Sequence, residues 1–212
     1  MPDRNGEGPD HRDLSRVVDA VLWLVELEGV QAVTVGALAE RTGLEEAMLR
    51  RHYPDRETLW LAVLDVLQGR LGNLLEHSAG RAPQSPLQAL EHIFTVHISF
   101  IGNRPAVPRL MIHLMTAVEM VAVRDRIAEI VRQYEANLIL LFKQAQSRGQ
   151  IRESVSARTF VTLLVGFIQG IAVRMHLFGP QSVTLGELKR AFRALMTGVV
   201  RSSAVGALSA WR

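Results

Sequence analysis

Along almost the whole chain apolar residues return at intervals of three and four, the spacing that gathers them on one face of an α-helix. No run of strict apolar and polar alternation between hairpin turn signals interrupts this pattern, so the fold class is all-α. The first segment spans residues 13–28, with Leu14, Val17, Val18, Val21, Leu24 and Val25 on one face and Gly29 placed to end it. Thr34 suits the N-cap of a helix over 35–41, because its hydroxyl can accept from an unpaired first-turn amide, and Gly43 can take the left-handed conformation that closes that helix. A short turn leads to the next helix. Asp55 caps a longer one over 56–76. "GRAPQ" reads as a loop, and Ser85, Pro86 and Gln88 mark another start. Helices over 108–121, 124–148 and 156–178 follow, and "TLGE" opens the last with Thr184 and Glu187 as a capping box. The total is about nine helices.

At 212 residues the chain is long enough for a small domain joined to a larger one. It has no cysteine, which excludes a disulfide framework, thiolate metal sites and a cysteine nucleophile, and fits a cytoplasmic location. Residues 1–12 are polar and rich in Gly and Pro, lack the apolar stretch of a secretory signal, and read as a disordered tail. The longest apolar stretch, 160–173, is short of the roughly 20 residues that cross a bilayer, so no membrane association is expected. The net charge of +3 hides an asymmetry: residues 1–66 hold seven arginines against thirteen acids, a balance of −6, and the remainder carries +9. That sign is opposite to the usual footprint of a DNA-binding N-terminus.

Two short helices with a glycine in the turn between them, supported by a preceding helix, make a helix-turn-helix whose second helix enters the major groove. The string "TVGALAERTGLEEAMLRRHYPDRETLWLAVL" makes the match specific, through Thr34, Ala39, Gly43, Leu49, His52, Tyr53, Pro54, Asp55, Arg56, Glu57 and Leu59. It resembles the N-terminal signature of the TetR family of transcriptional regulators. The resemblance spans about residues 14–64 by motif and the rest by helix number and order. It implies a homodimer with a DNA-binding head at 13–60 and a ligand-binding and dimerisation body at 61–212, released from a palindromic DNA operator by a small-molecule effector. The DNA-contacting set would be Thr34, Glu45, Glu46, Ala47, Arg50, Arg51, His52, Tyr53 and Arg56. Two positions depart from the family. Glu45 stands where a serine is usual, and Arg50 stands where a tyrosine usually contacts phosphate, a role that arginine's fork can keep. A third, Arg56, replaces the lysine that opens the fourth helix.

Glu45 and Glu46 admit three readings. They complement the positive end of the helix dipole, or one accepts from a cytosine amino group, or the head has lost ordinary DNA affinity. The last would leave a dimeric module that binds a small molecule or a protein. In the body Phe94, His97, Ile98, Met111, Met115, Phe142, Phe167 and Met175 are bulky or adaptable side chains suited to line an effector cavity, and equally suited to plain core. Leu185, Leu188, Phe192, Leu195 and Val199 recur at three and four residues, and Gly166 and Gly170 stand four apart. Together they suggest a four-helix dimer interface, against the alternative that both helices pack within their own subunit. His92, His97 and His113 lack ligand spacing for a metal, and no cofactor fingerprint or nucleophile motif is present. Neither a metal, a cofactor nor an enzymatic activity is expected.

Overall fold

The computed structural model describes residues 11–78, 85–117 and 119–201. Most of the expected tail and the whole "GRAPQ" loop therefore lie outside the described residues. Among these residues nine α-helices form and no strand: α1 (His11–Leu27), α2 (Val35–Thr42), α3 (Glu46–His52), α4 (Arg56–Ser78), α5 (Pro86–Gly102), α6 (Ala106–Thr116), α7 (Val121–Ser147), α8 (Ala157–Phe178) and α9 (Leu185–Thr197). Single 3-10 turns occur at Val30–Ala32 and Pro180–Ser182.

The caps read from the sequence are present. Thr34 accepts from the Ala37 amide, Ser85 from Gln88 and Ser156 from Thr159. Asp55 accepts from the Thr58 amide at 2.7 Å, and these helix-end amides hold its carboxyl below the usual range. At the start of α9 both halves of the Thr184 and Glu187 capping box form. One start differs from expectation. The sixth helix begins at Ala106 rather than at Pro108, because a proline in the first turn removes only an amide that has no helical partner.

The chain divides into two compact units. The first is the described part of Met1–Arg70 with Ala106–Ala128. Here α1 packs on α2 and α6, and α2 on α3. The apolar face of α1 is the buried one, with Val17, Val18, Val21 and Val25 at most 1% exposed. Its last carbonyls are held by Arg109 from α6, whose Nη1 donates to the oxygens of Val25 and Glu26 at 2.9 Å each. Arg70 donates to Asp19 at 2.7 Å and to the Ser15 hydroxyl at 2.9 Å.

The second unit is Leu71–Pro105 with the described part of Glu129–Arg212. In it α5 packs on α8 and α9. Phe94 on α5 is stacked between Phe167 and Phe192, with centroids 5.8 and 4.6 Å away. Glu91, almost fully buried on α5, accepts from Arg193 Nε on α9 at 3.4 Å, and its pKa is raised by burial, against the opposing pull of Arg193 and Lys189. An isolated antiparallel bridge joins Ile151 and Val200, so the chain after α9 is pinned to the loop after α7.

Helix α8 is longer than the apolar stretch read from the sequence, since it continues past Arg174 to Phe178. By length and composition alone it could cross a membrane, with a mean hydropathy of 1.6. Its residues Phe160, Val161, Leu164, Val165, Ile168 and Ile171 are nonetheless buried inside the unit. That is the pattern of a core helix.

Candidate functional site

The turn between α2 and α3 is built by local chemistry. Gly43 has φ +67°, a left-handed conformation that a side chain would strain, and its amide closes α2 on the Ala39 carbonyl. Thr42, buried beside it, donates from Oγ1 to the Leu38 carbonyl at 2.6 Å and accepts from the Leu44 amide at 3.3 Å. Arg16 on α1 donates to the Thr42 carbonyl. The turn is thus fixed from three sides.

That leaves α3 with one face inward through Leu49, which is 1% exposed, and the other face outward with Glu45, Glu46, Ala47, Arg50 and Arg51 all exposed. Glu46 pairs with Arg50 one turn on, accepting from Nε at 3.0 Å and also from Nη2. An exposed i,i+4 pair of this kind stabilises by about 0.3–0.5 kcal/mol, so it constrains Arg50 without locking it. Glu45 occupies the N-cap position, but its side chain makes no capping bond there. Thr34 stands exposed at the start of α2.

Two of the DNA-contacting candidates are placed otherwise. Tyr53 ends α3 and is 5% exposed, with its hydroxyl occluded and unpaired, so the ring belongs to the core of this unit and is withheld from a phosphate. Burial raises its pKa. His52 is half-buried. Arg56 is exposed but engaged, its Nη1 donating to Gln31 at 3.3 Å and its Nη2 to the Val30 carbonyl at 3.2 Å.

In the second unit the interface candidates separate into two sets. Leu188 and Phe192 are fully buried within the protomer, Phe192 against Phe94, so the inward face of α9 is core and is unavailable to a partner. Leu185 is exposed, Leu195 and Val199 are half-buried, and the Val199 carbonyl accepts from the Arg152 amide at 2.9 Å. Gly166 and Gly170 are exposed on α8, and a Cβ added at either would meet nothing within 4 Å. They lie in a stripe that the sequence reading missed: Leu163, Gly166, Gly170, Val173 and Leu177 are all exposed and recur at three, four, three and four residues. The same interval occurs on α9, and periodicity could not say which of the two faces outward.

The cavity candidates are not brought together as one set. Met111 and Met115 belong to the first unit, and Met115 is 41% exposed. Phe94, Ile98, Phe142 and Met175 are close-packed core residues of the second. Phe167 and His97 are half-buried. His97 Nδ1 lies 3.0 Å from the hydroxyl of Tyr134, a residue absent from the sequence reading, and the two rings meet edge to face. Burial alone pushes the His97 imidazole down to about 4 and the Tyr134 phenol well up. His92 Nε2 is occluded and unpaired, and among the described residues no three His, Asp or Glu side chains gather as metal ligands.

A braced helix-turn-helix with an outward charged helix, joined to a larger helical unit, defines the class of a helix-turn-helix regulator. Residues 86–195 match the family model described as tetracyclin repressor-like, C-terminal domain, more than half of the chain. The chain belongs to the TetR family of transcriptional regulators. It is 25% identical to the nucleoid occlusion factor SlmA of Aliivibrio fischeri over 171 residues, covering 76% of this chain and 82% of that protein. A TetR transcription regulator from Haloarcula marismortui superposes with a TM-score of 0.79 at 15% identity, covering 91% of this chain and all of the other. FadR from Bacillus subtilis in complex with stearoyl-CoA gives a TM-score of 0.72 at 16% identity, over 87% of this chain and 98% of that one.

Proposed function

We propose that the chain is a homodimeric repressor that reads a palindromic operator with α3 and leaves it when a small molecule occupies the second unit. The head is residues 13–60 and the effector and dimerisation body 61–212. The observation that carries this reading is the outward face of α3, held by the Gly43 turn with Ala47, Arg50 and Arg51 free of the core. Arg50 and Arg51 supply phosphate or guanine contacts, and Glu45, which makes no cap bond, is left to accept from a cytosine amino group. Two copies dimerise through the exposed stripe of α8 and the exposed Leu185, Ala191 and Ala194 of α9, where small residues allow close helix approach. FadR's ligand supports effector control as a mode for this fold.

A second reading has its own observation. The first 66 residues are net −6, and Glu46 occupies one of the two arginines of α3. A head so balanced gains little from counterion release, which would leave a dimeric binding module without an operator. Selection of duplexes from a random pool by the full chain separates the two. Enrichment of a palindrome supports the repressor. Recovery of no sequence at low salt rejects it.

A further inference from the structure

We infer that His97 and Tyr134 are the polar anchor of an internal effector site that takes an uncharged, mainly apolar molecule bearing one hydroxyl or carbonyl oxygen. The inference rests on the regulator reading above and gives its effector a chemical class. Both residues lie in the second unit, His97 on α5 and Tyr134 on α7. Their hydrogen bond uses one polar atom of each. His97 Nε2 has no partner among the described residues, yet it is not sealed off as His92 Nε2 is on the same helix. Neither ring is fully occluded, although the surrounding protein desolvates both strongly. Deep side chains that keep accessible surface line an internal space rather than the outer face.

The chemistry of the pair sets the ligand. If the tyrosine hydroxyl donates to Nδ1, then Nε2–H points outward as a donor and the phenol oxygen keeps a lone pair. If Nδ1–H donates instead, the outward groups are the phenol O–H and the Nε2 lone pair. Either tautomer offers one donor and one acceptor, and neither carries charge. One turn away along α5 stand Ile93, Phe94, Phe100 and Ile101, and along α7 Ile130, Val131 and Leu138. Helix α5 holds no Lys or Arg, and its single acid, Glu91, is bound to Arg193. Arg132 and Glu135 are two positions before and one after Tyr134, off its face of the helix. A carboxylate or an ammonium here would be a buried charge without a counterion. A neutral oxygen on a hydrocarbon frame satisfies the pair and fills the apolar surroundings.

A matched set of probes tests this: decanol, decanone, decanoate and decyltrimethylammonium, titrated calorimetrically into the full-length protein. The neutral pair binds, and the charged pair binds at least about tenfold more weakly. Tyr134→Phe keeps the ring and removes the hydroxyl, so it weakens decanol about tenfold, the worth of one buried hydrogen bond. A melting temperature close to that of the parent certifies its fold, and His97→Leu, which keeps the bulk, repeats the loss. Charged probes binding as well as neutral ones, no binding by any probe, or full decanol affinity in both variants overturns the inference. Each probe is also added to the complex with the selected operator. Decanol that binds as stated but leaves the operator bound refutes effector release and leaves the anchor standing. Operator release by decanoate alone does the opposite.

Discussion

The two units treat polar groups in opposite ways. In the first, the arginines are tied to nearby oxygens: Arg16 to the Thr42 carbonyl, Arg56 to Val30, Arg70 to Asp19, Arg109 to the end of α1. These bonds brace helix ends and a turn, and they leave α3 outward on a stiff mount. In the second, polar atoms are few, deep and incompletely paired, as with Glu91 Oε2, His92 Nε2 and His97 Nε2. Stiffness suits a surface that must match a groove. Unfilled hydrogen-bonding capacity suits a site that awaits a ligand.

The contrast can be broken from either side. The largest effect is expected for Phe192→Ala, which removes a ring buried between helices and costs about 3–5 kcal/mol. Its lowered melting temperature is expected not to recover as protein concentration rises, because the ring packs within one protomer. A concentration-dependent loss would return Phe192 to the dimer interface.

Next comes pH. His97 is held neutral with its pKa lowered to about 4, below the unfolded value near 6.5, so protons bind the unfolded chain more readily between these values. Stability from this group is complete above about pH 6.5 and is lost as pH falls towards 4, by about 3 kcal/mol. Urea midpoints of the parent minus those of His97→Gln across that range report it. Glu91, with its pKa raised, acts in the opposite sense, losing stability as pH rises, and cancels in the difference.

In the first unit Thr42→Val leaves the Leu44 amide without its acceptor and is expected to cost about 1–3 kcal/mol by chemical denaturation. The smallest change in stability is expected for Glu46→Gln, under about 1 kcal/mol, because the pair is exposed. Its effect on DNA runs the other way. Arg50 is released and one negative charge is lost, so operator affinity rises and the salt dependence steepens by about one ion. Unchanged affinity in a salt titration would show that Arg50 does not touch phosphate.

The parts of the fold set by near neighbours were legible in the sequence. Thr34, Asp55, Ser85, Ser156 and Thr184 cap where their spacing put them, and Gly43 closes α2 through a conformation that favours glycine. What depends on distant packing was not. The three-and-four repeat occurs on the inward face of α9 and the outward face of α8, and only the contact between Phe192 and Phe94, far apart in sequence, tells them apart. Tyr53 shows the same limit from the other side, since an aromatic beside two arginines looks like a surface residue until its burial is known. The His97 and Tyr134 pair joins helices 37 residues apart, with no local signal to announce it.

Hydroxyl-radical footprinting of the full-length protein on the selected duplex tests the central claim most directly. Two protected half-sites related by a two-fold axis and separated by about one turn of DNA, about 34–36 Å, are expected from paired α3 helices. A single protected patch, or uniform protection without two-fold symmetry, would contradict the account.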